Sequence, residues 1–130
     1  MDDKKKKLLI LVVEDEADMM KALKIRLEAS NYEVVLAHDG SEGLNMARQE
    51  QPDLVVLDIM LPKMDGLTIC RMLKFDEKFS KIPVILLTAK TQKIDIQRGK
   101  EMGADVYMTK PFKAEELLAA IEKLLKNKTG

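Results

Sequence analysis

The sequence predicts an α/β protein, a parallel sheet of five strands with helices on both of its faces. Two observations support this prediction. Five short apolar runs rich in Val, Ile and Leu show little alternation with polar residues, which is typical of strands buried on both faces of a parallel sheet. Helical patterns lie between these runs, and strands that alternate with helices indicate a parallel sheet with right-handed crossovers.

The apolar runs are the predicted strands, and the residues between them are typical of helices. The strands are expected at residues 8–13, 32–37, 54–57, 84–87 and, more weakly, 106–108. After the first strand, Met19, Leu23 and Leu27 repeat every four residues, as the buried side of a helix does. Asp39 and Glu42 have the spacing of a capping pair, so a second helix is expected to begin there.

The second half of the chain continues this alternation. A third helix is expected from about residue 66 to 78, and Pro83 precedes the fourth strand. A fourth helix is expected at about residues 92–102, but its apolar stripe is thin and Gly99 weakens it, so it should be the least firmly anchored. The last helix is predicted to end near Lys126, with residues 127–130 as a short tail. Its apolar stripe consists of Leu117, Leu118, Ile121, Leu124 and Leu125.

The composition indicates one globular domain over residues 1–130. The chain is 46% hydrophobic and 34% charged, with 22 Lys plus Arg and 22 Asp plus Glu, so its net charge gives no reason to expect direct binding of nucleic acid or membranes. Residues 1–7 are interpreted as a solvated basic arm, because no signal-peptide cleavage site follows. Cys70, the single cysteine, is expected to pack in the core, and the protein is expected to be cytoplasmic.

Polar side chains stand at the ends of four predicted strands. Glu14 and Asp15 follow the first strand, Asp58 the third, Thr88 the fourth and Lys110 the fifth. In an open α/β sheet, ligands bind at the carboxyl ends of the strands, so these side chains are expected to meet at one edge. Each residue alone has a structural explanation, as a strand terminus, a helix cap or a surface lysine. Their shared position on different strands favours a functional site.

Three carboxylates at one edge indicate a site for a divalent cation. Two unit charges about 5 Å apart repel by roughly 3 kcal/mol at an effective dielectric constant near 20, and a hard cation with oxygen ligands removes this repulsion. Mg²⁺ prefers such a site, with Mn²⁺ as an alternative ion. Zinc is not indicated, because His38 is the single histidine and is interpreted as a surface residue without a partner.

Asp58 is then the candidate nucleophile toward a phosphoryl group. Lys110 and the cation would neutralise charge on the transferring oxygens, as catalysts of phosphoryl transfer generally do. The hydroxyl of Thr88 would donate a hydrogen bond to a phosphoryl oxygen. The small side chain of Ala89 would leave room for the incoming group.

Five short motifs around these residues resemble those of response-regulator receiver domains, the CheY-like domains of two-component signalling. The motifs are Val12-Val13-Glu14-Asp15-Glu16, Leu57-Asp58-Ile59-Met60-Leu61-Pro62, Met64-Asp65-Gly66, Leu87-Thr88-Ala89 and Lys110-Pro111-Phe112. The resemblance spans about residues 8–126, and five ordered motifs are far more specific than any one of them. It implies a flavodoxin-like (βα)5 fold in three layers, with strand order 2-1-3-4-5.

The resemblance also implies roles for individual residues. Asp58 would be phosphorylated by a partner histidine kinase, a phosphotransfer protein or a small phosphodonor. Asp15, Asp58 and the backbone carbonyl of Met60 would bind Mg²⁺ directly, and Glu14 would bind it through water. Many members of the family have Asp where this chain has Glu14, which is a mild departure. The peptide bond before Pro111 would be cis.

Thr88 and Tyr107 match the switch pair of the family. Phosphorylation would draw Thr88 toward the phosphate and turn Tyr107 inward, which would change the surface of the fourth helix, fifth strand and last helix for a downstream protein target. The protein would be a phosphoacceptor that assists its own phosphorylation and dephosphorylation, not an ordinary enzyme. The last helix begins with Glu115, Glu116 and two alanines instead of a basic pair, so a monomer or weak dimer is expected.

Other α/β proteins fit the sequence less well. A flavodoxin-like cofactor domain or a nucleotide-binding enzyme would need a phosphate loop where residues 14–16 are acidic. An aspartyl phosphatase would need a second acid at the position of Met60. A pseudo-receiver that only binds partners is the alternative, although such proteins typically lack the acid pair, the acceptor or the lysine. Met1 and the short tail favour a stand-alone receiver.

Overall fold

The structure is a computed structural model that describes residues 7–89, 97 and 100–129. Strands and helices alternate through most of this part of the chain. The strands are β1 (Leu9–Val13), β2 (Glu33–Ala37), β3 (Leu54–Asp58), β4 (Val84–Ala89) and β5 (Val106–Lys110). The helices are α1 (Ala17–Ala29), α2 (Gly40–Glu50), α3 (Gly66–Lys74) and the C-terminal helix (Ala114–Thr129).

The five strands form one parallel sheet in the order β2-β1-β3-β4-β5. The predicted α/β fold and strand order are thereby confirmed. β3 is the middle strand, and β1 and β4 are its neighbours on either side. Val13 at the end of β1 pairs with Leu57 of β3, and Asp58 pairs with Leu87 of β4. The residues that end these strands therefore lie side by side.

The sheet divides the core into two layers. Alternate strand residues point to opposite faces, so Leu11 and Val13 belong to one buried cluster, and Ile10 and Val12 to the other. The first cluster includes residues of α2 and α3, and the second includes residues of α1 and the C-terminal helix. Helices therefore cover both faces of the sheet. Each fully buried Leu or Ile stabilises the fold by about 1.5–3 kcal/mol relative to an exposed position.

Two helix ends differ from the prediction. The third helix was expected to reach about residue 78, but it ends at Lys74. Beyond it, the Asp76 side chain accepts a hydrogen bond from the Lys78 N–H at 2.9 Å, and such local side-chain bonds favour turns over helix. The C-terminal helix continues to Thr129 instead of ending near Lys126. Residues 114–129 contain neither Gly nor Pro, the residues that most disfavour a helix.

Asp105 joins two strands at the edge of the sheet where they begin. Its Oδ2 accepts hydrogen bonds from the Val84 N–H at 2.8 Å and from Lys74 Nζ at 3.1 Å. Lys74 Nζ also donates to the carbonyl of Ile82 at 3.1 Å, and the lysine side chain is 13% exposed. These hydrogen bonds connect α3 to the starts of β4 and β5.

Two predicted features fall largely or wholly outside the described residues. They are the weakly anchored fourth helix at about residues 92–102 and most of the basic arm at residues 1–7. Within the described part of the chain, no helix is both long enough and apolar enough to cross a membrane.

Candidate functional site

Three carboxylates meet at the carboxyl edge of the sheet. Glu14 and Asp15 directly follow β1, and Asp58 is the last residue of β3. Since β1 and β3 are hydrogen-bonded neighbours, the two acidic sites come together. Glu14 and Asp58 are buried, at 1% and 5% exposure, whereas Asp15 is exposed. The site therefore combines two buried carboxylates with one that is exposed to solvent.

The geometry of these carboxylates fits a hard divalent cation. One oxygen from each of Glu14, Asp15 and Asp58 lies within 4.8 Å of the others. Among the described residues, this is the one group of three or more Asp, Glu, His or Cys side chains with ligand atoms this close together. All its ligand atoms are oxygens, as Mg²⁺ and Ca²⁺ prefer, and no thiolate or imidazole would favour zinc.

Lys110 partly neutralises the cluster. Its Nζ lies 2.9 Å from Asp58 Oδ2 and 3.0 Å from Glu14 Oε1, and its side chain is 25% exposed. Burial alone would lower the pKa of Lys110, but the hydrogen bonds with Asp58 and then Glu14 outweigh it and raise that pKa. Burial is also the main reason that the pKa of Glu14 is raised, and the nearby charge of Asp58 adds to it. The ammonium is therefore held in its charged form.

Backbone groups bind the remaining oxygens of the two buried carboxylates. Asp58 Oδ1 accepts a hydrogen bond from the Met60 N–H at 3.1 Å, and Glu14 Oε2 accepts one from the Glu16 N–H at 3.1 Å. The Ile59 N–H donates to the carbonyl of Leu87 at 3.0 Å, which keeps the chain beyond Asp58 against β4. Both carboxylates therefore have fixed orientations.

The other predicted site residues lie on the two neighbouring strands. Thr88 is buried on β4, directly after the residue that pairs with Asp58. Ala89 pairs with Lys110 through the backbone, but its side chain lies outside the described residues. Tyr107 is half-buried on β5, and Lys100 Nζ lies 5.9 Å from the centre of its ring. The direct contacts thus join Glu14, Asp58 and Lys110.

The backbone around the site has two notable features. The peptide bond between Lys110 and Pro111 is cis. Met60 is 70% exposed, so its side chain projects to solvent while its N–H faces Asp58.

The structure corrects the interpretation of His38 and agrees with that of Cys70. His38 lies on the surface as predicted, but it has a partner, because its Nδ1 is 3.0 Å from Glu42 Oε1. Glu42 Oε1 also accepts a hydrogen bond from the N–H of His38. The N–H of Glu42 donates to Asp39 Oδ1 at 2.8 Å, and this bond forms the predicted helix cap. Cys70 is buried, and burial raises the pKa of its thiol to about 12. It is a core residue.

Two glycines beside the site were not identified as functional from the sequence. A Cβ at Gly66 would lie 2.3 Å from the carbonyl oxygen of Asp58, and a Cβ at Gly40 would lie 1.6 Å from the carbonyl oxygen of Met64. Each glycine directly follows an aspartate that caps its helix. The absence of a Cβ permits this close backbone contact at each glycine.

Comparison with known proteins gives consistent matches. The chain matches the family described as the response regulator receiver domain over residues 10–122. It is 45% identical over 117 residues to the alkaline phosphatase synthesis transcriptional regulatory protein PhoP of Bacillus subtilis (strain 168), which covers 90% of this chain and 48% of PhoP. The chain thus spans about half the length of the curated relatives it matches.

Solved structures with the same fold cover nearly the whole chain. A CheY-like response regulator receiver domain protein from Methanospirillum hungatei JF-1 superposes with a TM-score of 0.87 at 30% identity, covering 96% of this chain and 100% of that one. The receiver domain of a sensor histidine kinase from Pseudomonas aeruginosa PAO1, solved with a magnesium ion coordinated in its active site cleft, has a TM-score of 0.85 at 28% identity. It covers 93% of this chain and 99% of that one. The chain therefore belongs to the response regulator receiver domain family.

Proposed function

We propose that Asp58 accepts a phosphoryl group in a Mg²⁺-dependent reaction and that the chain is the phosphorylatable receiver of a two-component phosphorelay. The observation that carries this proposal is the cluster in which oxygens of Glu14, Asp15 and Asp58 lie within 4.8 Å of one another, with Lys110 Nζ 2.9 Å from Asp58. The magnesium ion in the active site cleft of the Pseudomonas aeruginosa receiver supports a cation at the equivalent edge.

The donor set suits Mg²⁺. Asp15, Asp58 and the backbone carbonyl of Met60 would bind the ion directly, and Glu14 would bind it through water. Asp15 is exposed, which leaves access for the waters that Mg²⁺ retains in protein sites. When bound, the cation would neutralise charge on the oxygens of the transferring phosphoryl group. Mn²⁺ would bind the same oxygens.

Asp58 would act as the nucleophile. One of its carboxylate oxygens would form a bond to phosphorus while the bond from phosphorus to the donor imidazole nitrogen breaks, and the imidazole would leave with the electron pair of that bond. The donor would be a histidine kinase or a phosphotransfer protein. Lys110 would turn its ammonium toward the phosphoryl oxygens, where fixed positive charge stabilises the transition state.

Thr88 and Tyr107 would transmit the signal. Thr88 is buried on the strand beside Asp58, so its hydroxyl would donate to a phosphoryl oxygen, for which the small Ala89 leaves room. Tyr107 would then turn inward from its half-buried position on β5. This rearrangement would change the surface of β5 and the C-terminal helix, together with the predicted fourth helix. A shift of this kind requires a site with two packing arrangements.

A downstream protein would bind this changed surface. PhoP is a transcriptional regulatory protein by name, and we infer that the effector controlled by this receiver regulates transcription. The receiver would act on it through protein contacts, without touching nucleic acid itself, as a monomer or weak dimer in the cytoplasm. The equal numbers of acidic and basic residues are consistent with a receiver that does not itself bind nucleic acid.

Intact-mass spectrometry after incubation with acetyl phosphate and MgCl2 tests the proposal. The wild-type chain should gain the mass of one phosphoryl group, and the gain should disappear with EDTA or in Asp58→Asn. Asp18→Asn is the matched control, because Asp18 is an exposed aspartate in the first turn of α1. It should be labelled like the wild type. Labelling of Asp58→Asn at the wild-type level would refute the assignment of the acceptor.

A pseudo-receiver would behave differently in the same experiment. It would show no mass gain, and neither Mg²⁺ nor beryllofluoride, a phosphoryl mimic, would raise its thermal stability. The intact set of Glu14, Asp15, Asp58 and Lys110 in one cluster argues for the phosphoacceptor.

A further inference from the structure

The loop between β3 and α3, residues 59–65, makes close backbone contacts beside two glycines. At its base, a Cβ at Gly66 would lie 2.3 Å from the carbonyl oxygen of Asp58, so the two residues that flank the loop are in close contact. At its far end, a Cβ at Gly40 of α2 would lie 1.6 Å from the carbonyl oxygen of Met64. The nearest atom to Gly40 belongs to the backbone, so no flexible side chain can move aside. The loop therefore has little freedom to move toward α2 at Met64.

Polar contacts also join the loop to the start of α2. The Gly40 N–H donates a hydrogen bond to the carbonyl of Pro62 at 3.2 Å. Lys63 Nζ lies 3.5 Å from Asp39 Oδ2, and Lys63 has a φ of 68°, a left-handed conformation that costs energy for a residue other than glycine. The start of α2 thus contacts the loop at the residue whose backbone is in this costly conformation.

The same loop carries groups of the site. The Met60 N–H donates to Asp58 Oδ1 at 3.1 Å. The N–H groups of Leu61 and Gly66 both donate to the carbonyl of Ile59 at 3.1 Å, so the two ends of the loop converge on one point. Three residues separate Met60 from Met64, so a displacement at Met64 reaches the peptide at Met60 through a short stretch of backbone. The contact at α2 is therefore linked to the site through this loop.

We propose that Gly40 is a positioning residue for the carboxylate site. Because Gly40 has no side chain, the start of α2 can contact the backbone of the β3–α3 loop. This contact would place the Met60 carbonyl and Asp58 so that both can bind the same cation. This inference rests on the proposed function. In Gly40→Ala, moving the Met64 carbonyl from 1.6 Å to 3.0 Å, the closest approach that real Cβ atoms show, requires a shift of about 1.4 Å. Gly40 itself touches neither the cation nor the phosphoryl group.

Leu27→Ala supplies the control for a loss of stability. Leu27 is a buried residue of α1 in the core cluster on the opposite face of the sheet from α2. Both Gly40→Ala and Leu27→Ala should lower stability, and Gly40→Ala alone should change the site. Isothermal titration calorimetry with MgCl2, at a temperature where both variants are folded by circular dichroism, measures the difference.

The Mg²⁺ Kd of Gly40→Ala should rise roughly tenfold or more, as is usual when a group supporting a metal ligand is lost. The Kd of Leu27→Ala should stay within about twofold of the wild type, because the cavity that it leaves lies in the core on the other face of the sheet from α2 and the loop. Equal Kd values for the two variants would overturn the role of Gly40. Failure of the wild-type chain itself to bind Mg²⁺ would overturn the proposed function instead, and this inference with it.

A measurement on the wild type covers the case in which Gly40→Ala does not fold. In ¹⁵N-labelled protein, the amide resonance of Gly40 should shift during a MgCl2 titration with the same midpoint as that of Met60. The amide of Gly43, which donates to the carbonyl of Asp39 within the helix cap, should move much less. A Gly40 resonance that stays still while Met60 shifts would show that the loop contact is not coupled to the site, and would refute the inference.

Discussion

Asp15→Asn should make the metal-free protein more stable and remove its response to Mg²⁺. The Asp15 carboxylate lies within 4.8 Å of oxygens of Glu14 and Asp58. Two unit charges at that distance repel by roughly 0.9 kcal/mol at the dielectric constant of water and about 3.5 kcal/mol at an effective value of 20. Asp15 is exposed, so the lower figure applies to each pair, and Lys110 offsets part of the sum.

The net gain expected for Asp15→Asn in EDTA is about 1 kcal/mol in the free energy of unfolding. For a domain of this size, that corresponds to a rise in Tm of roughly 3–6 °C. Urea denaturation followed by circular dichroism measures it. In saturating MgCl2 the order should reverse, because a ligand at 100 times its Kd stabilises the wild type by about 2.7 kcal/mol, and the variant has lost a proposed ligand.

Asp18→Asn is the control for the change of residue type. Asp18 is exposed in the first turn of α1, where its charge interacts favourably with the helix dipole. Its replacement should therefore lower stability by about 0.3–1 kcal/mol and leave the Mg²⁺ response intact. A loss of stability for Asp15→Asn in EDTA, similar to that of Asp18→Asn, would refute the reasoning that the carboxylates repel one another.

Three further predictions concern stability and reactivity away from the cation site. Lys74→Met should lower the free energy of unfolding by about 1–3 kcal/mol, because it removes the donor to the Ile82 carbonyl and the partner of Asp105; a change below about 0.5 kcal/mol in urea denaturation would contradict this. Gln51→Gly should raise stability by roughly 0.5–1 kcal/mol, since Gln51 caps α2 with a φ of 47°, and a fall in Tm would count against it. Cys70 should resist Ellman's reagent at pH 8 in the folded protein, because burial raises the pKa of its thiol to about 12 and it stays protonated below that value. Reaction in native buffer as fast as in urea would show that the thiol is accessible.

The sequence patterns were sufficient for most of the fold and for the position of the acidic residues. Buried strands without alternation, separated by helical stripes, predict a parallel sheet from local information. The placement of Asp58 at the end of a strand follows from the end of the apolar run. The strand order came from the resemblance to receiver domains, because apolar runs alone do not say which strands are neighbours.

Contacts between distant parts of the chain were harder to predict. The sequence places Lys110 at the end of the edge strand β5, but its reach to Glu14, beyond β4 and β3, depends on the side-chain path across the sheet edge. The bond between Lys74 and Asp105 joins residues 31 positions apart and has no local pattern. The close contact at Gly40 was likewise not predicted, because the Met64 carbonyl that it contacts belongs to a different loop.

The shared hydrogen bonds of Lys110 have a consequence for the order in which molecules arrive. Among the described residues at this edge, one ammonium faces three carboxylates, so the metal-free cleft presents an excess of negative charge to any approaching phosphodonor. A donor phosphoryl group is itself anionic and would be repelled at that stage. Under the proposed function, the cation would therefore have to enter first, and the chain would become competent for phosphorylation only where free Mg²⁺ is abundant enough to fill the cleft. The carboxylates would then make the receiver dependent on the supply of metal as well as on the proposed kinase.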